Sequence, residues 1–295
     1  MDLEIWACPV CYSELVERDS EVSCRSEVRS FRRKDGLPVL VRPEQEGLLR
    51  DAERLSSAWK RTKWAVPREE VLQLPFVSRP GWKQKAQSFR ALRAILGSPR
   101  ERTVLDVGAG TGWLSHRLVE TGFRCFATDI SLDSDVGLGA SVQFDETPYS
   151  FERAIATLDR WPIRSRSIDI AICNASLHYL ADIGVAIAEA ARVLRAGGIF
   201  VIMNSPVHGD SVSAHRASLN FQERLRRLGA RGQLVENHQH FVMSELEHRL
   251  RVRFVEVVPH ELREGFWFAT SRAVKGALVG LELAAFPLYE ARIPR

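Results

Sequence analysis

The sequence predicts an α/β protein: a doubly wound, mostly parallel sheet of seven strands with a small N-terminal ribbon. Three observations carry that reading. From about residue 102 onward, strand-length apolar runs alternate with helix-length amphipathic stretches. Gly108, Gly110 and Gly112 follow the first of those runs at every second position. Cys8, Cys11 and Cys24 crowd into the first few dozen residues, where the pattern is short strand-like pieces and turns.

The elements follow in order. Residues 1–45 hold "CPVC", "SEVSCRSEVRSF" and "KDGLPVLV", the expected ribbon. Residues 46–98 read as a polar helical lid or linker, broken at Pro67, Pro75, Pro80 and Gly97–Pro99. Residues 99–295 read as the main domain. Its strands are "TVLDV", "RCFATDI", "RAIATL", "IDIAICNAS", "IFVIMNS", "RVRFVEVVP" and "FPLYEARI". Its helices are "TGWLSHRLVETG", "DIGVAIAEAARVLRAGG", stopped by glycine, and "VSAHRASLNFQERLRRLGA". Such alternation implies a sheet covered on both faces.

Composition bounds the function. The 295 residues are ample for a buried core. A charged fraction of 26% is that of an ordinary soluble domain. The net charge of +4 is uneven, because residues 1–100 carry 19 Lys/Arg against 14 Asp/Glu. That excess is compatible with RNA and too weak to establish it. "MDLEIWACPVC" lacks a basic-then-apolar leader, so the cytoplasm is the expected compartment. "AVKGALVGLELAAFPLY" is broken by Lys275 and Glu282, a poor membrane span and a better core helix running into a strand. Cys125 and Cys173 sit in apolar runs and read as core.

In a doubly wound sheet, ligands bind beyond the carboxyl ends of the strands. Asp106 and Val107 end the first strand, so the glycines form the turn into the next helix. Missing Cβ atoms and access to positive φ would let a ligand press on this backbone. The dinucleotide fingerprint needs a third glycine where Trp113 stands, which argues against NAD or FAD. The phosphate-binding G-x-x-x-x-G-K-[ST] is absent.

"VLDVGAGTGWLS" resembles motif I of the class I S-adenosylmethionine (SAM)-dependent methyltransferases. Further stretches resemble the same family in the same order: "FATDIS", "ATLDRWPIRSRSIDIAICNASLHYL" and "RVLRAGGIFVI". The resemblance covers residues 100–205 well and implies a Rossmann-like methyltransferase fold with SAM as cofactor. It implies a donor site from Asp106, Gly108, Ala109, Gly110, Thr111, Gly112 and Trp113, with Asp129 accepting the ribose hydroxyls beside Ile130. Leu158, Asp159, Arg160 and Trp161 would hold adenine: Asp159 on its amino group, a backbone N–H of Arg160, and Trp161 against the ring. Asn174 and Ala175 would close the donor site at the mouth of the fourth strand.

Methyl transfer is an in-line displacement from a reactive sulfonium, so the protein mainly aligns the partners and excludes water. A base is needed only where the acceptor must lose a proton. His178, titrating near neutrality when unperturbed, is the base candidate, with Tyr179 second. The family's N/D-P-P-Y sequence is replaced by "NASL", which disfavours exocyclic amino acceptors and leaves oxygen, carbon or ring nitrogen. His208 is a further pocket candidate, while His238 and His240 read as surface or pocket-wall residues.

"CPVC" and "VSCRSE" resemble half-preserved zinc-ribbon knuckles. Zinc takes four ligands in closed structural sites, so Cys8, Cys11 and Cys24 would need Glu27 as a fourth; the alternative is a metal-free ribbon with its own small core, including Phe31, Val39 and Leu40. A ribbon before this domain is similar to the bacterial 23S rRNA guanine-N1 methyltransferases. Arg32, Arg33 and Lys34 would then contact phosphate, whereas Arg224, Arg226 and Arg227 read as a solvated helix face. Aromatic residues do not interleave the basic ones as stacking on RNA requires. The expected acceptor is therefore a small organic molecule, beneath a lid holding Trp59, Trp64 and Trp82. The runner-up is an rRNA or tRNA base; the remaining alternative is a non-catalytic SAM-binding partner protein. A homodimer is left open, and no membrane role is expected.

Overall fold

The computed structural model describes residues 3–18, 21–62, 64–262 and 283–295. Three short strands open the chain as an antiparallel meander: β1 (Leu15–Arg18), β2 (Glu21–Cys24) and β3 (Ser30–Phe31). A two-residue hairpin follows, β4 (Arg33–Lys34) and β5 (Leu37–Pro38). Then come helix α1 (Gly47–Lys60), a 3-10 turn at Arg68–Gln73, and helix α2 (Trp82–Leu96). This is the helical stretch that the proline breaks predict.

The main sheet begins with β6 (Thr103–Val107), buried at every residue. Glycine in the left-handed conformation at 112 launches α3 (Trp113–Val119), and β7 (Arg124–Asp129) and β8 (Glu152–Ile155) continue the sheet. β9 (Ile168–Asn174), α4 (Ile183–Val193) and β10 (Leu194–Met203) complete its parallel part. Asp182 caps α4 by accepting from the Gly184 N–H. β11 (Val207–His208), α5 (Ser211–Arg227), α6 (Gln233–Glu236), β12 (Phe241–Val242) and α7 (Met243–Arg251) then build a flank. β13 (Glu256–His260) and β14 (Leu288–Arg292) close the sheet antiparallel.

The strand order is β13-β14-β10-β9-β6-β7-β8. This is the seven-stranded, mostly parallel, doubly wound sheet expected. The order reverses between β6 and β9, and a crevice at such a switch point is where ligands bind. The helix expected to run to a glycine stop at Gly197 instead ends at Val193. Leu194 already pairs with Ile168, and the register shifts between Leu194 and Ile199, with Gly197 at φ 73° inside the irregularity. The "AVKGALVGLELAAFPLY" helix lies, up to Glu282, outside the described residues.

The ribbon shares its core with the sheet. Trp6, Leu15, Val22, Phe31 and Leu40 pack in one cluster with Leu105, Phe126, Ile163 and Phe200. Trp6 bridges antiparallel to Ile163, and Val39 runs parallel beside Ile155 at the sheet edge. Among the described residues, no helix is long and apolar enough to cross a membrane.

Candidate functional site

A cavity of about 800 Å³ opens at the carboxyl ends of β6, β7, β9 and β10. From the donor half expected from sequence, Gly108, Ala109, Gly110, Thr111, Trp113, Asp129, Ile130, Leu158, Asp159, Asn174 and Ala175 line it. Asp129 is fixed by two backbone donors: Gly110 N–H to Oδ2 and Ser131 N–H to Oδ1, each 2.8 Å. Burial raises its carboxyl, and those backbone bonds pull the other way.

The three glycines differ. A Cβ on Gly108 would lie 2.3 Å from Ser176 Cβ, and one on Gly112 would lie 2.8 Å from Phe151. Their missing side chains make room for protein. Only Gly110, at φ 55°, would point a Cβ into open space, with Val136 O its nearest contact at 3.6 Å. Of the three, only Gly110 would carry an added Cβ without crowding a protein atom.

Four expected donor-site residues lie outside the cavity. Asp106 is buried beneath the loop, where Oδ2 accepts from Ser115 Oγ and Oδ1 has no partner; burial raises this carboxyl to about 7. Gly112 is covered by Phe151 and Ser141. Trp161 is fully buried, its indole N–H donating to Leu158 O, so it is core rather than a ring platform. Arg160 turns to the ribbon: its guanidinium donates to the Pro9 and Val10 carbonyls and lies 3.6 Å from the Tyr12 ring centroid. Arg192 flanks that ring at 3.7 Å, and the Tyr12 hydroxyl donates to Glu189. Asp159 does line the cavity, already bound by Arg42 and Gln45.

The other half of the cavity is built from side chains of distant segments. His178 and Tyr179 line it with His238, His240, Phe221 and the expected lid residues Trp59, Trp64 and Trp82. Trp59 donates to the Tyr179 hydroxyl at 3.1 Å. His238 stacks on Phe221 at 4.2 Å between ring centroids. Burial pushes His178 down to about 3, so the imidazole is neutral at pH 7, and its Nδ1 has no hydrogen-bond partner. The sequence argument for a base titrating near neutrality does not survive that burial. Burial also raises the Tyr179 phenol, which keeps it protonated. His208 is no lining residue; its Nε2 lies 3.0 Å from His240 Nδ1.

Sequence reasoning missed Lys85, Ser176, Asn204 and the orientation of Arg224. Asn204 Nδ2 donates to Asn174 Oδ1, and Ser88 Oγ donates to Asn204 Oδ1. Asn204 and Ala175 both have positive φ, at 56° and 55°. Non-glycine residues in that region cluster at functional sites, and here they end the two adjacent strands β10 and β9. Arg224 is exposed, as a solvated helix face requires, and its guanidinium also lies 4.3 Å from the Trp64 ring centroid at the cavity.

At the N-terminus, the Cys8, Cys11 and Cys24 sulfurs lie within 4.8 Å of one another. Glu27 is not among them; it pairs with Arg29 at 3.4 Å. The described residues thus supply three sulfur ligands, one short of a closed structural zinc site.

A family model described as a methyltransferase domain matches residues 105–202. That stretch spans β6 to β10, the glycine turn included. The chain is 28% identical over 118 residues to malonyl-[acyl-carrier protein] O-methyltransferase of Hamiltonella defensa, covering 40% of this chain and 43% of that protein. It is 26% identical over 220 residues to an uncharacterized chloroplastic methyltransferase of Arabidopsis thaliana, covering 68% of this chain and 61% of the relative. The chain thus spans less than two thirds of these relatives' length. In fold it is similar to Haemonchus contortus phosphoethanolamine N-methyltransferase 2 in complex with SAM, at TM-score 0.55 and 14% identity, covering 82% of this chain and 60% of that one.

Proposed function

We propose that this protein is an enzyme transferring a methyl group from SAM to a small organic acceptor. The carrying observation is the glycine turn. Gly108 and Gly110 both line the cavity; an added Cβ would meet Ser176 at Gly108 but no protein atom closer than 3.6 Å at Gly110, whose N–H is tied to Asp129. Thr111 Oγ1, on the same turn, is buried without a partner. SAM, when bound, supplies an electrophilic methyl group on a sulfonium sulfur. Asp129 would accept the ribose hydroxyls, Leu158 and Asp159 would flank the base, and Asn174 and Ala175 would border the reacting end. Asn204 holds Asn174 in place, and Ser88 holds Asn204. Neutral His178 offers a lone pair to an acceptor hydroxyl without charging itself. Trp59 and Trp64 exclude water from the acceptor half.

RNA is the weaker reading. The Arg32, Arg33 and Lys34 cluster is already ion-paired with Glu46, Glu17 and Glu53. The test is incubation with labelled SAM and a metabolite extract. Label in a small organic product supports the proposal; label in RNA alone overturns it. Elemental analysis of wild type and Cys11→Ser tests whether the ribbon's three thiols hold zinc.

A further inference from the structure

We infer that the acceptor is a small organic anion with an apolar body, its carboxylate or phosphate seated by Lys85, with Arg224 adding positive charge to the same cavity. This rests on the methyltransferase reading and names its substrate class. The argument starts from charge. Four acids line the cavity, and each is already engaged: Asp129 by backbone N–H groups, Asp135 by Lys60, Asp159 by Arg42, and Asp182 by Arg249. Lys85 and Arg224 are the only cations lining it among the described residues, and neither has a carboxylate partner there.

Their placement suits an anion. The Lys85 ammonium lies 4.1 Å from the Trp82 ring centroid, half-buried with only the aromatic face to offset its charge. Burial pulls it down to about 8, a cost that a carboxylate or phosphate would relieve. It lines the cavity together with His178 and Tyr179. Arg224 lies over the Trp64 ring, exposed, and lines the same cavity. Trp64 and Phe221, which also line the cavity, are nearly parallel, 12° apart, with centroids 6.3 Å from each other, and give it an aromatic side. Two cations with no nearby acid reject a cationic acceptor by desolvation and like charge.

The experiment uses the full chain saturated with S-adenosylhomocysteine. Benzoate, phenyl phosphate and neutral benzamide are titrated by ligand-observed NMR. Both anions should bind ~10-fold or more tighter than benzamide, as expected for a charge-assisted contact. The tighter anion distinguishes carboxylate from phosphate. Lys85→Met should erase the preference and Arg224→Gln should reduce it, while S-adenosylhomocysteine affinity is unchanged in both. Equal binding of benzamide and benzoate to wild type overturns the inference without any variant. So does a preference that survives Lys85→Met. Displacement of benzoate by a short single-stranded RNA at far lower concentration, with steep salt dependence, overturns it in favour of nucleic acid. Failure of S-adenosylhomocysteine to bind while the anion preference persists would remove the methyltransferase reading and leave the anion site standing.

Discussion

The two halves of the cavity are made differently. The donor half comes from backbone: one turn between β6 and α3, the end of β7, and a carboxylate held by two main-chain N–H groups. The acceptor half comes from side chains supplied by α1, α2, the segment after β9, α5 and the segment before β12. A backbone site is tied to the fold and tolerates few changes. A side-chain site can be re-lined without disturbing the sheet, so chemistry can stay fixed while acceptors diverge. This is the general logic by which one α/β scaffold supports many substrates.

The contrast can be broken most severely at the donor turn. Gly110→Val places a branched Cβ in the open space of the cavity and forces a β-branched residue to φ 55°. S-adenosylhomocysteine binding should fall at least ~100-fold, about 3 kcal/mol. Isothermal titration reads this directly. Gly108→Ala is the control. There the added Cβ meets Ser176, not the ligand space, so the main loss should be stability, about 1–3 kcal/mol for overpacking alone. Chemical denaturation separates the two variants. If both behaved alike, the assignment of different roles to the two glycines would fail.

The acceptor half should respond to pH. Burial pushes His178, His238 and His240 down to about 3, 2 and 4. Their free-chain value is about 6.5, so between that value and about 4 the unfolded chain binds more protons than the folded one. Stability is therefore full above pH 6.5 and declines as pH falls toward 4. Thermal melts at constant ionic strength should show this, and His238→Phe, which keeps the stack on Phe221, should flatten it. Lys85 acts in the same direction in a higher pH window, between about 8 and its free-chain value. Its folded value of about 8 lies below the free-chain value, so its buried charge opposes folding at pH 7. Lys85→Met should leave the melting temperature at pH 7 unchanged or slightly raised. A marked loss of stability would show Lys85 to be structural.

The same contrast explains what was legible in the sequence. Donor residues lie in short local stretches whose order along the chain repeats their order in the sheet. Gly110, Asp129 and Asn174 could thus be placed from pattern alone. Trp161 was expected against the adenine ring, but adjacency in sequence does not say which way a side chain turns. Trp161 turns into the core, and Arg160 turns toward Tyr12 of the ribbon, a contact 148 positions away in sequence. Lys85 and Asn204 carry no local signal; they become site residues only when α2 and β10 meet the cavity. The histidines were visible as residues, but their burial, which sets their charge, was not.

The central claim is that the cavity holds a SAM-type donor through Asp129. Isothermal titration of S-adenosylhomocysteine and NAD into wild type and Asp129→Ala tests it most directly. The expected result is one-to-one binding of S-adenosylhomocysteine by wild type, none of NAD, and a loss of about two orders of magnitude in the variant, as for two hydrogen bonds to a charged group. Binding of NAD, or an Asp129→Ala variant that holds S-adenosylhomocysteine as tightly as wild type, would contradict it.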